Sequence, residues 1–322
     1  MGPLLFRPII KQIRWGGRRL GNVLGKPIGN DTDYAESWEV SDHGHDQSVV
    51  VDGPLAGATL HELVTKHGDE LFGEQRFDRE QFPLLVKFLD ASDRLSVQVH
   101  PDDALARTYQ QDENGKTEAW VILDADPNSR LYVGLKKGVD AATLQEHLRN
   151  ETLEACLHKI AAQPGECVFV PAGTVHAIGE GILLAEIQQS SDLTFRLYDW
   201  GRVGADGKPR QLHIEDAIQC IDFDRGPVEP VEPRRLPADI AAEELVHCPY
   251  FSIRRYRGAG AYEVPDDGRF HVFMVIGGDA RLEWESGSTT LPLGQTALVP
   301  AVRQSTRLNL SADSVVLDAF VP

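Results

Sequence analysis

Apolar residues in this chain come mostly in short runs. Leu84 to Leu89, Leu95 to Val99, Trp120 to Leu123 and Cys167 to Val170 are bounded by Gly, Pro, Asp or Asn, and Phe270 to Ile276, Ala280 to Trp284 and Ala297 to Val299 repeat the habit further on. Short runs with that punctuation predict strands. Helical periodicity is rarer, over Thr59 to Leu71, Ala141 to Ile160 and Ile214 to Ile221. Strands following strands, with a few helices around them, predict a mainly β chain of sandwiches or barrels and not alternating βαβ units.

Two stretches of the strand pattern share a frame. Gly165-Glu-Cys-Val-Phe-Val-Pro171 and Gly294-Gln-Thr-Ala-Leu-Val-Pro300 both read Gly, three residues, an apolar residue, Val and Pro, and each follows an apolar strand, at Trp120 and at Phe273. Two copies of one β unit are expected. Between them Arg225 to Pro237, with four prolines, charges of both signs and no apolar period, reads as a linker. The prediction is two cupin-type jelly-roll barrels with a few peripheral helices: residues 1–224, a linker over 225–237, and a second, degenerate β unit over 238–322.

A chain of 322 residues has room for two such units. Its 32 basic and 49 acidic side chains leave a formal charge of −17, which repels nucleic acid and anionic membrane surfaces. The longest uncharged stretch, Ser286 to Val302, is interrupted by Pro292 and Pro300 and is too polar for a membrane span. At the start, Leu4, Leu5 and Phe6 run straight into Arg7, Pro8 and Lys11, so no secretory core is expected and the chain is read as cytoplasmic. Cys156, Cys167, Cys220 and Cys248 form no C-x-x-C pair and are expected to be reduced, small core residues.

Four segments carry candidate chemistry. In Leu95-Ser-Val-Gln-Val-His100 strict alternation puts Ser96, Gln98 and His100 on one face. That face meets either water or the polar lumen of a barrel, where Gln98 and His100 would converge as two metal ligands. Glu118 opens the apolar strand Ala119-Trp-Val-Ile-Leu, where an unpaired carboxylate is costly and calls for a cation. His176 lies past a strand in Val170-Pro-Ala-Gly-Thr-Val-His176, a Gly/Pro turn at a barrel mouth; taken alone, it also suits a loop or a satisfied core histidine. Together the four offer two imidazoles, one carboxylate and one amide oxygen, a set suited to zinc or a related divalent ion. Arg196 alternates with Thr194 and Tyr198. It is either a salt-bridged surface residue or, on the metal side, a site for an anionic group.

These segments resemble type I mannose-6-phosphate isomerases of the short bacterial form. The resemblance runs in order from Trp15-Gly-Gly and Ala35-Glu-Ser-Trp38 through Lys87-Phe-Leu-Asp, Leu95 to Asp102, Gly115-Lys-Thr-Glu118 and Val170 to Ala177. It continues to Glu186-Ile-Gln-Gln-Ser-Ser-Asp192 and Tyr198-Asp-Trp-Gly-Arg202. It implies one divalent metal per chain on Gln98, His100, Glu118 and His176, an active-site arginine at Arg196 and the motif lysine at Lys116. It also implies exchange of mannose 6-phosphate and fructose 6-phosphate through an enediol. The chain has no room for the extra helical domain of longer members, and Arg202 stands where they carry lysine. Ser96, Lys87 and Arg202 are the phosphate candidates. An ammonium beside a divalent cation is disfavoured, so Lys116 ranks ahead of Glu186 as the base. The partner expected is a small sugar phosphate, with no nucleic acid or membrane, and the chain a monomer or a homodimer. Other readings are action on a different sugar or sugar phosphate, a non-catalytic sugar-binding cupin, and a cupin dioxygenase, which would want more histidines and iron.

Overall fold

The computed structural model describes residues 1–77, 81–111, 113–203, 207–236 and 242–322. Its strands form four main antiparallel sheets stacked in layers. The first unit has a six-stranded sheet in the order Cys167–Val170, Glu118–Ala125, Ile182–Gln189, Leu84–Ala91, Tyr34–Val40, Ile9–Gly17. Facing it is a five-stranded sheet, Leu157–Ala161, Arg130–Leu135, His176–Ile178, Val97–Val99, Phe195–Tyr198. Leu89, Trp120, Ile122 and Leu184 from the first meet Leu131, Val133 and Ile178 from the second, which closes the apolar part of a barrel lumen. Helices Ala141–Arg149 and Ile214–Cys220 cover the outside of the five-stranded sheet through Leu144 and Ala217.

The inner strands of the six-stranded sheet are covered on both faces. Val86, Phe88, Val121 and Ile187 on its back pack against Ile253, Val272, Leu298 and Leu317 of an eight-stranded sheet in the second unit. All eight residues of Leu84–Ala91 are therefore buried, and its sequence LLVKFLDA shows no alternation because both sides are covered. Beyond the eight-stranded sheet, a four-stranded one closes a second core around Phe273, Val275, Leu282 and Leu308.

The structure differs from the sequence reading at five points. The units do not divide cleanly at 225–237, because Leu4–Arg7 pairs with Thr296–Val299 and Val49–Val50 joins it in the eight-stranded sheet. The segment from Arg225 is also no free tether: the Val228 and Val231 amides donate to Val133 O and Cys167 O, at 3.2 and 2.8 Å. Gly134, at φ 82°, lets it close in, since a Cβ there would lie 2.2 Å from Gly226 O. Pro237 and residues 238–241 lie outside the described residues.

The helix expected over Ala141 to Ile160 stops at Arg149. Glu151 turns to φ 55°, and Leu157–Ala161 then pairs with Arg130–Leu135, so Leu157 and Ile160, three apart as in a helix, lie on opposite faces of a strand and enter different cores. Thr59 to Leu71 is two helices, Leu60–Lys66 under a Thr59/Glu62 capping box and Gly68–Phe72, broken at His67. Finally, His176 opens an inner strand of the five-stranded sheet and does not sit in a turn.

Candidate metal centre and active site

Register places the chemistry in two facing rows. On the five-stranded sheet His176 pairs with Gln98, and Gln98 with Arg196, so three strands present one line of side chains to the lumen. On the six-stranded sheet Trp120 pairs with Glu186, Glu186 with Lys87 and Lys87 with Trp38; Glu118 lies two residues before Trp120 on the same face.

The rows meet at Glu118. His100 Nδ1 lies 2.9 Å from Leu193 O, and His176 Nδ1 lies 2.9 Å from Thr174 O. A carbonyl only accepts, so each ring carries its proton at Nδ1 and keeps a lone pair on Nε2. These Nε2 atoms stand 3.6 and 3.3 Å from the two Glu118 oxygens. All three side chains are buried, their ligand atoms lie within 4.8 Å of one another, and neither Glu118 oxygen has a hydrogen-bond partner. Burial holds both imidazoles neutral, taking His176 down to about 4 and His100 well below its usual range. Burial also pushes the Glu118 carboxyl up to about 7, against the pull of Lys116. Neutral imidazole nitrogens around a buried carboxylate whose oxygens accept no hydrogen bond fit a divalent cation. Gln98 adjoins them, its amide nitrogen 3.3 Å from His176 Nε2 and its oxygen accepting from Ser96 Oγ at 3.4 Å.

Lys116 Nζ sits 3.2 Å from both His100 Nε2 and Glu118 Oε2. Glu186 Oε1 accepts from Trp120 Nε1 at 3.0 Å. Although buried, Glu186 is held below the ordinary carboxylate range, chiefly by Lys87 and then Lys116.

The other expected residues divide. Ser96 accepts from Arg196 Nε at 3.2 Å. Lys87 is 3% exposed and wedged between Glu186 and Glu36, 3.5 and 3.6 Å away, over the Trp38 ring. Burial opposes its charge, but Glu36 and Glu186 outweigh it and raise the lysine above its ordinary range, so it is a matched cation inside the wall. Arg202 donates to Asp93 and to Asp199, which also takes a two-pronged ion pair from Arg210 at 2.6 and 2.8 Å. Sequence reasoning gave no role to Glu36, Asp199 or Arg210. The pairing of Glu36 with Trp38 on one face of an alternating strand was the available signal for the first.

A family model for the type I phosphomannose isomerase catalytic domain matches residues 4–148. Mannose-6-phosphate isomerase ManA of Bacillus subtilis is 37% identical over 280 residues, 87% of each chain. The chain belongs to the type I phosphomannose isomerase family. A mannose-6-phosphate isomerase of Streptococcus mutans is 34% identical over 92% of both chains. The crystal structure of the B. subtilis mannose 6-phosphate isomerase superposes with a TM-score of 0.90 at 31% identity over 99% of both. A phosphomannose isomerase structure from Salmonella typhimurium, 15% identical, shares the fold over the whole chain at a TM-score of 0.78. Family membership makes the chain an isomerase on a mainly β, cupin-type scaffold and sets aside the dioxygenase and the non-catalytic sugar binder. No helix among the described residues is long and apolar enough to cross a membrane.

Proposed function

We propose that the chain interconverts mannose 6-phosphate and fructose 6-phosphate with one divalent ion, zinc by its donor set, held by His100, Glu118, His176 and the Gln98 amide. The observation that carries the metal assignment is the buried Glu118 carboxylate, paired with Lys116 at one oxygen and facing two Nε2 lone pairs. When bound, the ion supplies Lewis-acid polarisation of the sugar carbonyl.

The chain's own groups do the rest. Aldose and ketose differ by a proton moved between C2 and C1 through an enediol, so one group must take that proton and return it on the same face. Lys116 is our choice, buried beside the metal ligands. Glu186, kept ionised by Lys87, is the second candidate and is tested beside it. Arg196, in register with Gln98, neutralises charge developing on the enediolate oxygens. The phosphate lies toward Ser96 and the arginines gathered at Asp199, including Arg202, while Lys87 keeps Glu186 charged.

A coupled assay with mannose 6-phosphate, glucose 6-phosphate and free mannose, run on chelated and metal-reloaded protein, tests this. Turnover of mannose 6-phosphate that disappears on chelation and returns on reloading is expected. Full turnover by protein shown to be metal-free, or preference for another sugar, would overturn it. Lys116→Met and Glu186→Gln separate the bases by solvent-proton incorporation at C2, which only the true base abolishes.

A further inference from the structure

Arg196 stands on an edge strand, since Phe195–Tyr198 ends the five-stranded sheet and has Val97–Val99 on one side only. At such an edge the outward N–H and C=O lack strand partners. At Arg196 they are filled by a single residue: its N–H donates to His213 Nδ1 at 3.2 Å and its C=O accepts from His213 N at 2.8 Å. The chain just before His213 takes hold of the side chain as well, because Gln211 O accepts from Arg196 Nη1 at 3.0 Å. One residue earlier, Arg210 grips Asp199 on the same strand's exit.

His213 occupies the N-cap position of the helix Ile214–Cys220, where Ser, Thr, Asp or Asn would spend its side chain on the helix amides. The imidazole makes no capping bond and turns to Arg196 instead. The helix behind it is anchored through Ala217 and Cys220 in the outer core with Val97, Val99 and Leu197, and the ring lies edge-on to Phe195.

We propose that His213 is a positioning residue for Arg196, fixing the edge strand so that the guanidinium stays beside Gln98 and Ser96. This rests on the assignment of Arg196 to the reacting oxygens. A shift of about 1 Å in such a group costs up to roughly a hundredfold in rate.

The test uses the metal-loaded full chain. His213→Phe keeps a ring against Phe195 but removes the acceptor, and His213→Ala removes it with no steric demand. Both should lower kcat about tenfold to a hundredfold with KM and bound metal unchanged. In an Arg196→Ala background His213→Phe should cost less than about twofold, because the two losses are one. Wild-type kcat in His213→Phe or in His213→Ala overturns the proposal, as does an equal loss in both backgrounds or a rise in KM alone. If Arg196→Ala itself keeps full kcat, the role given to Arg196 falls and this inference with it. If Arg196→Ala is impaired and His213→Phe is not, only the inference about His213 falls.

Discussion

Replacing Glu118 with Gln should stabilise the metal-free protein and abolish its stabilisation by metal. The carboxylate is 1% exposed, its oxygens have no hydrogen-bond partner, and two imidazole lone pairs face it. Burial moves the group from 4.5 to about 7 in the folded chain. Because the folded value lies above the unfolded one, its contribution is most favourable below 4.5 and is lost as the pH rises through 7. At about pH 8, the ionised group therefore costs the metal-free protein on the order of 3 kcal/mol. A Gln amide does not incur that cost, and its NH₂ can donate to the same nitrogens. At about 2 °C per kcal/mol for a chain of this size, thermal melts in chelator should rise by roughly 5 °C. Near pH 5 the gain should shrink below about 1 kcal/mol. Excess divalent metal should reverse the order, since an ion at about a thousand times its Kd adds roughly 4.1 kcal/mol to the wild type alone. A variant that melts at or below wild type in chelator at pH 8 would refute the reasoning, because Lys116 would then already compensate the carboxylate.

His176→Ala should lose bound metal and turnover together, as read by elemental analysis beside the coupled assay. Arg196→Ala should keep its metal and melting temperature while kcat and kcat/KM fall alike by roughly a hundredfold or more; a rise in KM alone would make it a substrate anchor. His271→Ala should leave one metal per chain, since His100, Glu118 and His176 form the only such cluster among the described residues. The same change strands buried Asp318, now 2.8 Å from the imidazole, and should cost about 3–5 kcal/mol. Burial opposes the His271 charge, but Asp318 and Asp267 raise it overall, so this loss should be largest below pH 6.5 and fade as the pH rises through the raised value.

How far the sequence could be read depended on how local each cause was. The alternation of Ser96, Gln98 and His100 lies within one short segment, and Glu118 at the head of an apolar strand announces its own desolvation. Nothing near Lys87 in the chain announces its two carboxylates, which arrive on other strands and are brought beside it by the register of Tyr34–Val40 and Ile182–Gln189. Arg202 is likewise tied to Asp93, far away in the chain. Leu4–Arg7 looks like any short strand, and nothing near it points to a partner at Thr296–Val299. The second helix reads too long because Leu153, Leu157 and Ile160 continue a helical spacing beyond the turn at Glu151, where the helix has already ended.

The sheet that carries Lys87 and Glu186 has hydrocarbon behind it as well as protein in front. Counterions screen exposed charges over about 8 Å at physiological ionic strength but reach buried pairs poorly. The groups that act on the sugar carbons should therefore feel the same field in dilute buffer and in strong salt, leaving kcat flat. Arg202 and Arg210, with side chains 10% and 30% exposed, sit nearer solvent. Added salt should weaken capture of a phosphate there and raise KM, so ionic strength becomes a dial that turns binding without touching turnover.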